Sequence, residues 1–217
     1  MRRARYGRLL NDFCRGDVYE HPWSMTVDGG MLALWQSSFL DANALYTSDT
    51  VAQSYGYSGR IVPPSLLLNL GLSFSVHDVS QQAIAHLAYI DVRFPRPLYV
   101  GDTFRALSQV LDSKVSKSKS DRGTVHVRTI GLNQHDEVVL SFERKALIRA
   151  GGMTDRPDTP VRTLSETEQA RFSDLPYAPA MAMAQADGGL AVGQPFHFED
   201  YAVGDVLIHD SGRTVGE

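Results

Sequence analysis

Apolar positions along the chain change period once the first third has passed. Met31, Leu32, Leu34, Trp35 and Phe39 recur at helical spacing, and Asp28 stands before them as an N-cap. A short second helix is predicted over 48–53. The pair Pro63-Pro64 then leads into Leu66, Leu67, Leu68, Leu70, Leu72 and Phe74. That segment is apolar nearly all round, which predicts a buried central helix with Ser65 as its N-cap.

From residue 90 the period drops to two. Ile90, Val92 and Phe94 alternate with Asp91 and Arg93, and Pro95 and Pro97 end the run. A long strand is predicted over 103–116. Val125, Val127 and Thr129 alternate with His126 and Arg128; Val138, Leu140 and Phe142 alternate with Val139, Ser141 and Glu143. The segments 120–123 (SDRG) and 133–136 (NQHD) are hairpin turns. Helices followed by an antiparallel meander predict an α+β fold, a sheet wrapped on one helix.

The ends of the chain repeat each other. Residues 11–27 and 199–215 align without a gap at an offset of 188. Asp12, Gly16, Asp17, Val18, His21, Thr26 and Val27 match Asp200, Gly204, Asp205, Val206, His209, Thr214 and Val215. The bland alternative is that aromatic-x-x-Gly-Asp-Val is a common lead-in to a strand. Residues 8–150 are expected to form one domain and 196–217 to open a second, incomplete one. Residues 151–195, rich in Pro, Gly, Ala and Met, are expected to be a linker. Within that linker Ser165 and Glu168 have the spacing of a capping box, so a short helix is predicted over 165–172.

Composition then narrows the function. The chain has 217 residues, 43% hydrophobic and 21% charged, with a formal net charge of −4. No basic field exists to hold nucleic acid. One cysteine, Cys14, excludes an internal disulfide framework and a cysteine zinc cluster, and a reduced cytoplasmic setting is expected. The seven histidines lack the spacing of a metal site. His21 and His209 share a repeat position, which suggests a structural role on the first strand. Lys114, Lys117, Lys119 and Arg122 form a basic hairpin tip that either reaches the phosphates of a ligand or is simply solvated.

The Gly-Asp-Val lead-in, the Asp-x-Asn segment at Asp41 and Asn43, and the turn from Pro97 to Thr103 together resemble the MaoC-like (R)-specific enoyl-CoA hydratase and dehydratase superfamily. Within it, LYTSDTVAQSYG (45–56), VGDT (100–103) and LNQHDEVVLSFERKALIR (132–149) look most like mesaconyl-CoA hydratases, also called β-methylmalyl-CoA dehydratases. The resemblance implies a hotdog fold, in which an antiparallel sheet wraps a central helix, and a double hotdog for the whole. It implies a lyase that adds water to an enoyl-CoA or removes it, with the CoA thioester as substrate and no cofactor. The implied partner is a second hotdog, in the same chain or in a homo-oligomer.

Such a reaction needs an acid and a base that orient and deprotonate water, and a backbone N–H that holds the thioester oxygen as it becomes an enolate. The superfamily places these in an Asp-x-Asn-x-x-His loop and a His-Gly pair at the start of the central helix. Here Tyr46 stands where the histidine should be, and Pro63-Pro64 replaces the His-Gly pair. A tyrosine with an ordinary pKa of ~10 is a poor base at neutral pH, and proline has no N–H. The candidate catalytic residues are therefore Asp41 and Tyr46, and the candidate substrate-binding residues Asn43 and Ser65, in a site read as degenerate. The reading of Asp41 and Asn43 as ordinary residues at the end of the first helix is favoured over a catalytic one. The expected role of this hotdog is to shape the acyl pocket; a thioesterase on the same fold and a non-catalytic acyl-CoA-binding module are the alternatives.

Overall fold

The structure is a computed structural model that describes residues 7–152, 164–173, 175–176 and 198–206. Strand β1 (Val18–Thr26) is followed by α1 (Gly29–Phe39), α2 (Ala44–Thr47), α3 (Asp49–Ser54) and α4 (Pro64–Ser75). Four strands come next: β2 (Ala83–Arg93), β3 (Thr103–Val115), β4 (Arg122–Leu132) and β5 (Val138–Arg149), then α5 (Glu166–Arg171). The sheet is antiparallel throughout, in the order β1-β3-β4-β5-β2. It is the α+β hotdog that the sequence predicts. Among the described residues no helix is long and apolar enough to cross a membrane.

Helix α4 packs against β1, β3, β4 and β5. Leu66, Leu67, Leu70 and Phe74 meet Phe104, Leu140 and Phe142 from the inner face of the sheet. Each such side chain contributes about 1.5–3 kcal/mol by leaving water. The helix comes closest at Gly71, where a Cβ would stand 2.6 Å from Leu140 Cδ2. Beyond α4 a π-helical turn, Val76–Ser80, carries Val79 into a second cluster with Val110, Val127 and Ile148.

Helix α1 starts where expected, with Asp28 Oδ1 accepting from the Met31 N–H at 2.8 Å. The single helix predicted over 48–53 is two short ones; Ser48 ends α2 and caps α3 by accepting from Val51 N–H at 3.3 Å. Ser65 is not an N-cap. Pro63 takes the extended N-cap position and Pro64 the first helical one, so Ser65 lies one residue inside α4 and is exposed. The fixed φ of proline is already that of a first helical turn, and the N–H it lacks would have been unpaired there anyway. Strand β2 begins at Ala83, seven residues before the alternation that revealed it.

The expected linker, residues 151–195, contains a docked segment. Ser165 and Glu168 close the predicted capping box on α5. Phe172, 3% exposed, packs with Leu107, Ile130, Leu132 and Val138 on the outer face of the sheet, helped by Leu164 and Leu175. The apolar packing of the first domain therefore extends past residue 150.

The repeat is conformational as well as sequential. A 3₁₀ turn covers Leu10–Asp12, and another covers Phe198–Asp200 at the same offset. Gly16 and Gly204 have φ of 91° and 100°, a region that glycine enters without strain. Asp17 accepts from Cys14 N–H at 2.9 Å, and Asp205 from Ala202 N–H at 2.7 Å. The strand expected after Val206 lies outside the described residues.

Candidate functional site

Helix α1 ends at Leu40 in the left-handed region, and the Asp41 N–H closes the end by donating to Gln36 O at 3.1 Å. Asn43 is the N-cap of α2: its side-chain oxygen accepts from Leu45 N–H at 3.0 Å. Its own N–H reaches Asp41 Oδ1 at 3.5 Å. Tyr46 follows on α2, half-buried. Burial raises its pKa, and the nearby Asp41 and Tyr57 raise it further. The structure thus brings Asp41, Asn43 and Tyr46 together, but with Asn43 occupied as a cap and with Tyr46 holding its proton. At neutral pH Tyr46 keeps its proton and is no base for water.

Ile61 bridges Tyr99, and the Val62 N–H donates to Leu98 O at 2.7 Å, which fixes the chain as it enters α4. At that entry lies a small cavity of about 100 Å³, lined by Tyr57, Ile61, Pro64, Leu67, Phe94 and Leu98. Tyr57 links the cavity to the Asp41–Tyr46 loop. Arg96 stands at its mouth, within 3.6 Å of Glu137 and 3.5 Å of Val138 O. Pro63 and Pro64 remove two backbone donors from the helix start, and Leu67 N–H is already bonded to Pro63 O at 2.9 Å. Ser65 is not among the lining residues. The arrangement can enclose an apolar group at the head of α4. It offers no poised base, and the N-cap and first helical residue bring no N–H.

Two buried polar groups lie outside the site residues that the sequence suggests. His21 on β1 has both ring nitrogens engaged: Nδ1 with Asp78 Oδ2 at 2.9 Å and Nε2 with Ser108 Oγ at 2.8 Å. Ser108 continues to Thr129 Oγ1 at 2.7 Å, and Arg8 Nη1 donates to Asp78 Oδ1 at 2.6 Å. Burial pushes the Asp78 carboxyl up, but the hydrogen bonds from His21 and Arg8 more than offset that and hold its pKa at about 2. The order Asp–His–Ser is that of a hydrolytic triad. Yet the His21 side chain and Ser108 are both 0% exposed, so nothing reaches the hydroxyl. The structural role expected for His21 is the one it has. The second group is Arg144 on β5, 2% exposed and bonded to Ser75 and Ser80. Its signal in the sequence was an arginine at an inward register position, between Phe142 and Ala146.

The basic hairpin tip lies at the end of β3 away from the head of α4. Lys114 pairs with Asp112 and Arg122 with Asp121. Strand β2 is one edge of the sheet, bulged three times, and it exposes Ile84, Leu87 and Tyr89.

The family described as mesaconyl-CoA hydratase matches residues 2–189. A mesaconyl-CoA hydratase of Cereibacter sphaeroides is 35% identical over 212 residues, which are 97% of this chain and 61% of that protein. The chain thus spans about three-fifths of that relative's length. Among solved structures, a MaoC domain protein dehydratase of Chloroflexus aurantiacus superposes with a TM-score of 0.74 at 29% identity, over 92% of this chain and 56% of that one. A Mycobacterium tuberculosis protein with a double hotdog fold gives a TM-score of 0.64 at 24% identity, over 82% of this chain and 54% of that one.

Proposed function

The chain belongs to the mesaconyl-CoA hydratase family, and from that premise we propose that it takes part in the reversible addition of water to a short, branched or dicarboxylic enoyl-CoA such as mesaconyl-CoA. In this reading the hotdog of residues 8–150 shapes the acyl pocket, and the acid and base come from a second hotdog. The partner is a second hotdog, in the same chain or in another copy. The thioester is the substrate, and no cofactor takes part.

The single observation that carries the division of labour is at the head of α4. Hydration of an enoyl thioester needs a base for the water and a donor for the enolate oxygen. Tyr46 is held protonated by burial and by Asp41, and Pro63 and Pro64 supply no N–H. What remains is a small apolar cavity suited to a methyl or methylene group.

The test is calorimetry with mesaconyl-CoA, alongside an assay that follows loss of the enoyl-thioester absorbance. The expected result is binding by this chain, with no turnover that depends on Asp41 or Tyr46. Turnover abolished by Asp41→Asn would overturn the pocket-only role. Failure to bind any enoyl-CoA would overturn the hydratase reading itself.

A further inference from the structure

The inner face of β5 reads Leu140, Phe142, Arg144, Ala146, Ile148, so one arginine interrupts an otherwise apolar row. Arg144 is 2% exposed, yet among the described residues no carboxylate pairs with it. Its guanidinium donates from Nη1 to Ser80 Oγ at 3.1 Å and from Nη2 to Ser75 Oγ at 2.9 Å and Ser75 O at 3.4 Å. All three acceptors are neutral. The Nε–H is buried and, among the described residues, has no hydrogen-bond partner. A buried charge without a counter-ion costs several kcal/mol, and a guanidinium presents five donors in a planar fork that suits a carboxylate.

Arg144 also lines an open cavity of about 510 Å³ between the end of α4 and β2. That volume falls within the range of about 300–1,000 Å³ for small-molecule pockets. Further donors face the same space. Ser80, His86 and Tyr89 line it, with the His86 and Tyr89 rings 4.3 Å apart. Burial and the adjacent Arg144 lower the His86 pKa, so its ring is neutral and carries one N–H. Burial raises the Tyr89 phenol against the opposing pull of Arg144, so it keeps its O–H. The remaining wall is apolar, with Leu72 and Ile84 among its residues. One buried cation, neutral donors around it and an aliphatic wall are complementary to a carboxylate on a short hydrocarbon skeleton.

We propose that the cavity between α4 and β2 is a binding site for the carboxylate of a small aliphatic acid, with Arg144 as its anchor and Tyr89 and His86 as flanking donors. It lies beyond the C-terminal end of α4, whereas the apolar cavity above lies at the N-terminal end. It does not depend on the hydratase reading. The same chemistry is met by a free acid and by the second carboxylate of a dicarboxylic acyl-CoA.

The experiment measures calorimetric binding of mesaconate, its dimethyl ester, inorganic phosphate and mesaconyl-CoA to the native chain, Arg144→Gln and Tyr89→Phe. Mesaconate is expected to bind the native chain and to raise its unfolding temperature. Arg144→Gln should weaken mesaconate at least tenfold while leaving the unfolding temperature of the ligand-free protein nearly unchanged, which a merely structural arginine would not allow. Tyr89→Phe, which leaves the cation in place, should weaken mesaconate several-fold. Equal loss for mesaconate and mesaconyl-CoA assigns the site to the acyl group; loss for mesaconate alone assigns it to free acids. The proposal is overturned if mesaconate does not bind, if the ester binds as well as the acid, or if Arg144→Gln binds like the native chain. It is also overturned if Arg144→Gln splits a dimer on sedimentation while mesaconate has no effect, because the occupant is then an acidic side chain of a second copy.

Discussion

His21 and Arg144 sit under the same sheet, and the turn that follows α4 reaches both: Asp78 meets His21, and Ser80 meets Arg144. The two differ in closure. Around His21 both ring nitrogens are engaged, the Asp78 carboxylate beside it also accepts from Arg8, and Ser108 passes its bond on to Thr129. Around Arg144 the hydrogen bonds are to neutral groups, two of its five N–H groups, Nε–H among them, have no partner among the described residues, and a cavity adjoins it. A buried polar network that satisfies itself rigidifies a fold. One that stops short leaves its last bond for something else. The hydrolase-like order of side chains around His21 thus carries no chemistry, while the arginine with no familiar motif is the better candidate for a ligand.

The largest effect is expected from breaking the closed network. Asp78→Ala leaves His21 Nδ1 and Arg8 without their carboxylate inside the sheet. Loss of one partner of a buried pair costs about 3–5 kcal/mol, and the lower end applies because Arg8 is one-third exposed. Urea denaturation, read as a shift of midpoint at constant slope, measures it. A loss under 1 kcal/mol would erase the distinction between the two regions.

Acid should separate the regions next. Asp78 has a folded pKa of about 2 against ~3.9 unfolded, so it binds fewer protons in the native state between those values. Its contribution is fully present above pH ~4 and is lost as pH falls through about 2, amounting to about 2–3 kcal/mol. Stability of the native chain should therefore fall across that window, and Asp78→Ala should flatten the fall. Arg144→Gln should leave the slope unchanged, since no carboxylate among the described residues pairs with Arg144. Denaturant titrations at a series of pH values give both slopes.

The closed region was easier to anticipate than the open one. The meander of β3, β4 and β5 follows from strict alternation, and α4 from its unbroken apolar run, because in both cases burial on a defined face sets the pattern. Strand β2 hid its first seven residues because AIAHLAY has apolar side chains on both faces; Ile84, Leu87 and Tyr89 remain exposed on an edge. Ser65 was misplaced because two prolines can begin a helix without a side-chain cap. At the head of α4, Asp41, Asn43 and Tyr46 were legible as one loop. Tyr57, Phe94 and Leu98 were not, since the cavity assembles from segments that only the β-bridge at Ile61 and Tyr99 brings together. His21 could be read as structural from its repeat position, but nothing in one sequence reveals that Asp78 would be its partner across 57 residues.

The smallest effects give the finest test, because they remove one hydroxyl from each side. Ser108→Ala deletes the partner of His21 Nε2 in a place with no solvent, and Thr129 loses its bond as well. Leaving buried polar atoms unsatisfied costs about 1–3 kcal/mol. Ser80→Ala removes one bond from Arg144 Nη1. The cavity beside it is polar on that wall and wide enough to admit water, which replaces a lost hydroxyl with little penalty. The expected cost of Ser80→Ala is under about 1 kcal/mol, and the order Ser108→Ala above Ser80→Ala should hold in urea midpoints. If the order reverses, water does not enter the space beside Arg144, and the opening in that network is too tight to receive a carboxylate.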